Sequence, residues 1–118
     1  MKRDMELIRE LLFAVESHDS PETYIQVSIE GRSEEEINYH LLLLKDAGFI
    51  EAVVMESLGG VMVQPLRLTW SGREFIDAAR SNKVWEGAKA FALRTTGTVT
   101  LEGLKLAIPY VMKALMGG

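Results

Sequence analysis

The chain contains two histidines and no cysteine, which narrows its chemistry at once. Disulfides, thiol nucleophiles and cysteine-ligated zinc are excluded. His40 is the better placed of the imidazoles, in the middle of an amphipathic run. A metal held there would need a second ligand three or four residues away on the same helix face. Those positions are Glu36, Ile37, Leu43 and Leu44, so Glu36 alone qualifies. One carboxylate and one imidazole do not make a coordination sphere, and a surface hydrogen bond between Glu36 and His40 is the expectation. No serine–histidine–acid order and no glycine-rich phosphate loop occurs. The acidic trio Glu34, Glu35 and Glu36 is accounted for by helix capping, without a general acid–base role. The residue types predict no catalytic residues, no metal and no cofactor.

The stretch from Ser33 to Ile50 organises the rest. Ser33 with Glu36 three residues on is a capping box: the hydroxyl accepts from the third helical amide and the carboxylate reaches back to the amide of Ser33. Glutamates in the first turn also suit the positive end of the helix dipole. Ile37, Leu41 and Leu44 recur at helical spacing and form the buried stripe. Gly48 supplies the left-handed residue that ends the helix after Ala47. The outward positions are Glu34, Glu35, Asn38, Tyr39 and Leu42.

Around this helix the patterning predicts a first helix over residues 2–17, with Met5, Ile8, Leu12 and Val15 inward and Leu11 widening the stripe. His18-Asp19-Ser20-Pro21 breaks it. Residues 24–30 alternate, with Ile25, Val27 and Ile29 on one side, which predicts a half-buried strand. Residues 50–57 and 61–68 read as a hairpin turning at Leu58-Gly59-Gly60, with Pro65 marking an edge or the end of pairing. Thr69 caps a helix carrying Phe75, Ile76 and Ala79 inward. A further helix begins near Lys83, with Trp85, Ala88, Phe91 and Ala92 inward. Thr100 caps the last, stapled by Val99 and Leu104. Its stripe of Leu101, Leu104, Ile108, Val111 and Leu115 steps three and four residues at a time. That stripe is expected to pack on the first helix of the same chain, with a homodimer seam as the alternative. Pro109 inside it should kink or break the helix.

At 118 residues, with 47% hydrophobic and 25% charged residues, the chain fits one domain with a single core. The expected division is a core over 1–69 and a helical extension over 70–116. No apolar run reaches the roughly 20 residues of a membrane span, and the first helix lacks a signal-peptide core, so a soluble, cytoplasmic protein with no membrane partner is expected. The net charge of −4 is unevenly distributed: residues 1–50 carry 5 basic and 11 acidic groups, and residues 51–118 carry 8 basic and 6 acidic groups.

The pattern I-x-x-H-L-x-x-L-x-x-A-G-F-I, running from Ile37, resembles the recognition helix and first wing strand of bacterial winged-helix regulators of the arsenic-repressor type. The resemblance implies an α+β, winged-helix-like fold: helix, strand, recognition-type helix, two-stranded wing and C-terminal helices. In such regulators the outward helix positions enter the major groove, yet here they bring two glutamates and a leucine, and non-specific DNA affinity comes mainly from Lys and Arg on phosphates. The wing tip at Leu58, Gly59 and Gly60 is neutral and apolar. A strand also stands where a helix-turn-helix would have its first helix.

The segments M-K-R-D-M-E-L-I-R, G-R-S-E-E-E-I-N-Y-H-L-L-L-L-K-D-A-G-F-I-E-A and L-T-W-S-G-R-E-F-I-D-A-A-R, with the following V-W, are together similar to the bacterial and phage family called domain of unknown function 2513. That resemblance covers nearly the whole chain. It implies a small winged-helix-like protein, often associated with mobile elements or prophage, and no activity, ligand or catalytic residue. Two readings follow. The first is a non-catalytic protein-interaction or adaptor module, dimeric through its last helix or bound to another protein, that uses Glu34, Glu35, Asn38, Tyr39, Leu42 and the wing tip. The second is a DNA-binding transcriptional regulator. It would place Arg67, Arg73 and Arg80 on phosphates, with Asn38 and Tyr39 reading bases, and the charge map ranks it below the first.

Overall fold

A computed structural model describes residues 2–18 and 25–117. Its elements are α1 (Met5–Ser17), α2 (Glu34–Asp46), β1 (Ile50–Ser57), β2 (Gly60–Leu68), α3 (Trp70–Ala79), α4 (Asn82–Thr96) and α5 (Leu101–Leu115). Among the described residues this is a mixed α+β fold with five helices and one two-stranded antiparallel sheet. The chain forms two compact units, Met1–Arg73 and Glu74–Gly118, with the boundary inside α3.

In the first unit α1 buries Met5, Leu7, Ile8, Leu11, Leu12 and Val15. It begins at Met5, later than the apolar spacing predicts, because Asp4 is its N-cap. The Asp4 carboxylate accepts from the amides of Glu6 at 3.0 Å and Leu7 at 3.3 Å, satisfying donors that the first helical turn leaves open. α2 carries the complete capping box at Ser33 and Glu36 and buries Ile37, His40, Leu41 and Leu44. It ends as Gly48 requires, at φ +80°. The amide of Phe49 then bonds to Leu44 O and that of Gly48 to Lys45 O, both at 3.0 Å, the paired bonds of a Schellman ending.

β1 and β2 pair from Ile50↔Leu68 to Ser57↔Gly60. The ladder is irregular between Glu51 and Ala52, where Leu66 is the extra residue opposite them. Pro65 lies beside this bulge, where its missing amide disrupts least. Segment 25–29 forms no strand, contrary to its alternation. Ile25 is buried and Val27 and Ile29 half-buried, while Gln26 and Ser28 face solvent. The period reports burial correctly, but the backbone joins no ladder. The Gln64 side-chain amide donates to Ile25 O at 2.6 Å and to Pro65 O at 3.2 Å, occupying the edge of β2 where a third strand would bond. The expected helix break at 19–21 and the start of the predicted strand at 24 lie outside the described residues.

Thr69 caps α3: its hydroxyl donates to Gly48 O at 2.6 Å and accepts from the amide of Gly72 at 3.0 Å. Gly72 rests so close to Phe49 that a Cβ there would lie 2.0 Å from the Phe49 carbonyl oxygen. In the second unit Trp85 is fully buried, with Phe75 edge-on to it at 6.3 Å. α5 packs against α4. Phe91 stacks on Tyr110 at 5.8 Å, and Val111 fills the space above Gly87. Leu104 and Ile108 are buried while Leu115 is 53% exposed, and within the second unit the stripe meets α4. Pro109 does not divide the helix, which runs unbroken from Leu101 to Leu115.

Candidate functional site

The Ser33 capping box fixes where α2 starts, and hence the direction in which its outer face looks. That face meets the tip of the β1–β2 hairpin across a cleft of about 870 Å³, lined by Glu34, Glu35, Asn38, Tyr39 and Leu42 from the helix and by Ser57, Gly59, Gly60, Val61 and Met62 from the hairpin. All five outward helix positions singled out from the sequence thus converge on one concavity with two of the three tip residues. Leu58 is fully exposed and lies outside the lining, so it belongs to the tip and not to the cleft. The hairpin turns through Leu58 and Gly59 between the paired Ser57 and Gly60, and Gly60 takes the positive φ, +121°.

Asn38 holds the two walls together. Its Oδ1 accepts from the amide of Val63 at 3.1 Å, capping the outward face of β2. It is therefore a positioning residue, with its carbonyl oxygen already engaged, and not the free base reader that its outward place on the helix suggests. Tyr39 and Leu42 are half-buried and form the apolar floor with Val61 and Met62. Glu34 and Glu35 are exposed on one rim, and neither has an ion-pair or hydrogen-bond partner among the described residues. The site is an apolar trough under an exposed acidic rim.

A second polar cluster stands behind α2. The Arg32 guanidinium meets Asp4 at 2.7 Å and Glu36 at 3.1 Å. Burial alone would raise the Asp4 carboxyl. The hydrogen bond and charge of Arg32 and the amides of Leu7 and Glu6 outweigh that and hold it below the usual carboxylate value. His40, fully buried, receives the amide of Asp4 on Nε2 at 2.9 Å and lies 2.8 Å from Glu36 O through Nδ1. Because Nε2 must accept, Nδ1 carries the proton and donates to the carbonyl. This replaces the expected surface contact between Glu36 and His40: the ring is internal, and its partner is the backbone of Glu36. With both nitrogens engaged, His40 offers no lone pair to a metal in this arrangement. Asp4 escaped the sequence reading, although an aspartate immediately before the apolar run from Met5 is a recognisable cap.

The cations proposed for phosphate are differently placed. Arg67 grips Glu51 with two bonds, Nε at 2.7 Å and Nη2 at 2.9 Å. Those hydrogen bonds, aided by the Arg67 charge, hold the Glu51 carboxyl below its ordinary value. Arg80 pairs with Asp77 at 3.0 Å and belongs to the second unit. Arg73 is exposed on α3. None of the three lines the cleft.

The described residues therefore define an α+β protein whose first unit carries an acidic-rimmed cleft between a helix and a hairpin, and no helix among them is long and apolar enough to cross a membrane. The family described as "Hypothetical protein (DUF2513)" matches residues 2–98, and the chain belongs to it. It is also 29% identical over 117 residues to an uncharacterized protein of Haemophilus influenzae, covering 98% of this chain and 99% of that one. No solved structure matches it.

Proposed function

We propose that this protein is a non-catalytic protein-interaction module on a winged-helix-like scaffold, with α2 in the place of a recognition helix and the β1–β2 hairpin in that of a wing. The cleft between them takes a segment of a protein partner that carries Lys or Arg around an apolar anchor. The observation that carries this reading is the pairing of an apolar floor (Tyr39, Leu42, Val61, Met62) with the exposed carboxylates of Glu34 and Glu35, which have no partner among the described residues. Apolar contact would supply affinity, and the acidic rim would select sign and steer encounter. The same rim repels a polyanion, and the ion pairs of Arg67 and Arg80 leave less cationic surface for phosphate.

The test is a titration of the 15N-labelled protein with a short amphipathic peptide carrying lysines around leucine, beside its glutamate analogue. The lysine peptide should shift the amides of residues 34–42 and 57–62, Leu42→Glu should abolish the effect, and the glutamate peptide should do nothing. Equal response to both peptides refutes the assignment. Generic duplex DNA is measured in parallel by fluorescence anisotropy at low and moderate salt. Salt-sensitive binding that a joint charge swap of Arg73 and Arg80 removes would replace this reading with that of a DNA-binding regulator.

A further inference from the structure

The hairpin is a two-stranded sheet, and its two edges are treated differently. The outer edge of β2 is occupied by the side chains of Asn38 and Gln64. Among the described residues no strand pairs with the outer edge of β1, and the register shows which groups it offers. The amide of Val63 points away from β1, toward Asn38, so Val63↔Val54 is a non-hydrogen-bonded pair. Val54 therefore turns both its N–H and its C=O outward. Alternation along the regular part of the ladder makes Ala52 and Glu56 do the same. None of these three residues has another hydrogen-bond partner among the described residues. On the solvent face Val53 is 48% and Met55 44% exposed. An uncovered strand edge of this kind is a template for another strand.

We infer that β1 pairs antiparallel with β1 of a second copy of this chain, about a two-fold axis at Val54, to make a continuous four-stranded sheet. The occupant follows from self-complementarity. The three outward-facing residues are symmetric about Val54, so the pairing sets Val54 against its own counterpart and Ala52 against Glu56 in both directions, and each N–H finds a C=O. On the solvent face the same register sets Val53 beside the other copy's Met55, covering the exposed apolar side chains in matched cross-strand pairs. Charge agrees: Glu56 faces alanine and Glu51 faces Ser57, so no two carboxylates oppose one another, whereas centring on Glu56 would stack them. A two-fold contact of this kind closes at the dimer and leaves no open edge on β1. The inference does not depend on what the cleft binds, since the lining of the cleft includes none of residues 52–56.

Sedimentation equilibrium over a dilution series, combined with two variants, tests it. Val54→Pro removes an amide that bonds nothing among the described residues, so the hairpin keeps its ladder while each dimer loses two hydrogen bonds. At about fivefold each, dimer dissociation should rise roughly twenty-five-fold. The chain has no cysteine, so Val53→Cys with Met55→Cys introduces the only thiols. These should oxidise to a disulfide-linked dimer, because non-hydrogen-bonded antiparallel pairs bring their Cα atoms to about 4.5 Å. The single variants should link poorly. A chain that stays monomeric at every concentration overturns the inference. So does a dimer in which the double-cysteine variant fails to cross-link, or one that forms as well with Val54→Pro, either of which points to another interface such as the face of α5.

Discussion

Removal of Asp4 is the sharpest test of how the first unit is held. Asp4→Ala loses the N-cap of α1, an interaction that supports a helix by typically about 1 kcal/mol, and the partly exposed ion pair with Arg32 at 2.7 Å, which adds less. Together these give about 1–2 kcal/mol, or roughly 4–16 °C in the thermal midpoint for a unit of this size. Asp4→Asn keeps a capping oxygen and discards the charge, so it should cost less than half as much. The pH dependence separates the contributions. Because Arg32 and the two amides hold the Asp4 carboxyl below its unfolded value, the charge stabilises the fold fully above that value, about 3.9, and its contribution disappears as pH falls through the lower folded one. The gap between the native protein and Asp4→Asn should be constant from neutral pH down to about 5 and close below about 4. Thermal melts by circular dichroism at several pH values measure both quantities. Equal losses for Ala and Asn would refute the capping argument, and a gap that persists in acid would refute the electrostatic one.

Three further outcomes are expected. Gly72→Ala should cost at least about 2 kcal/mol by urea denaturation, because its Cβ would enter the Phe49 carbonyl, whereas Gly87→Ala meets a side-chain methyl of Val111 at 2.7 Å and regains helix propensity of about 1 kcal/mol, so it should cost less than Gly72→Ala. Long-range 15N correlation spectra should show His40 as the Nδ1–H tautomer, and an Nε2–H signal would contradict the bond from Asp4. Asn38→Ala should leave the Val63 amide without its partner, costing about 1–2 kcal/mol and raising hydrogen exchange at Val63 well above that of Met62, whose amide faces β1.

The parts of this fold that were legible in the sequence are those encoded by local spacing. Ser33 and Glu36 write their own capping box, Gly48 its helix end, Thr69 and Thr100 their caps, and the turn at Leu58-Gly59-Gly60 its hairpin. The outward face of α2 was legible for the same reason, since a helix of known start and stripe has a known opposite side. What remained hidden depends on contacts across the chain. Nothing near Asn38 announces that its amide will seek Val63, 25 residues away. Nor does the surrounding sequence place Asp4 on His40, 36 residues on. That the stripe of α5 packs on α4 was not legible, because a heptad-like spacing specifies a seam without specifying its partner. Pro109 left α5 undivided although its ring removes one helical hydrogen bond. The alternation over 24–30 predicts a strand that segment 25–29 does not form, because a period of two reports which side chains are buried and is silent on whether a neighbouring backbone lies within bonding distance.

That last segment has a consequence for motion. Ile25 is sealed in the core, yet among the described residues Gln26, Val27, Ser28 and Ile29 donate no backbone hydrogen bond, and the hydrogen bond that ties the segment to the hairpin comes from the Gln64 side chain. Ordering each such residue costs roughly 1–2 kcal/mol of backbone entropy, here offset by side-chain burial without the cooperativity of a ladder. Residues 25–29 are therefore the place where the first unit opens first. Their amides should exchange with solvent at near-intrinsic rates while the amides of α1 and α2 stay protected, and a protease that cannot cut the helices should find its first productive bond there.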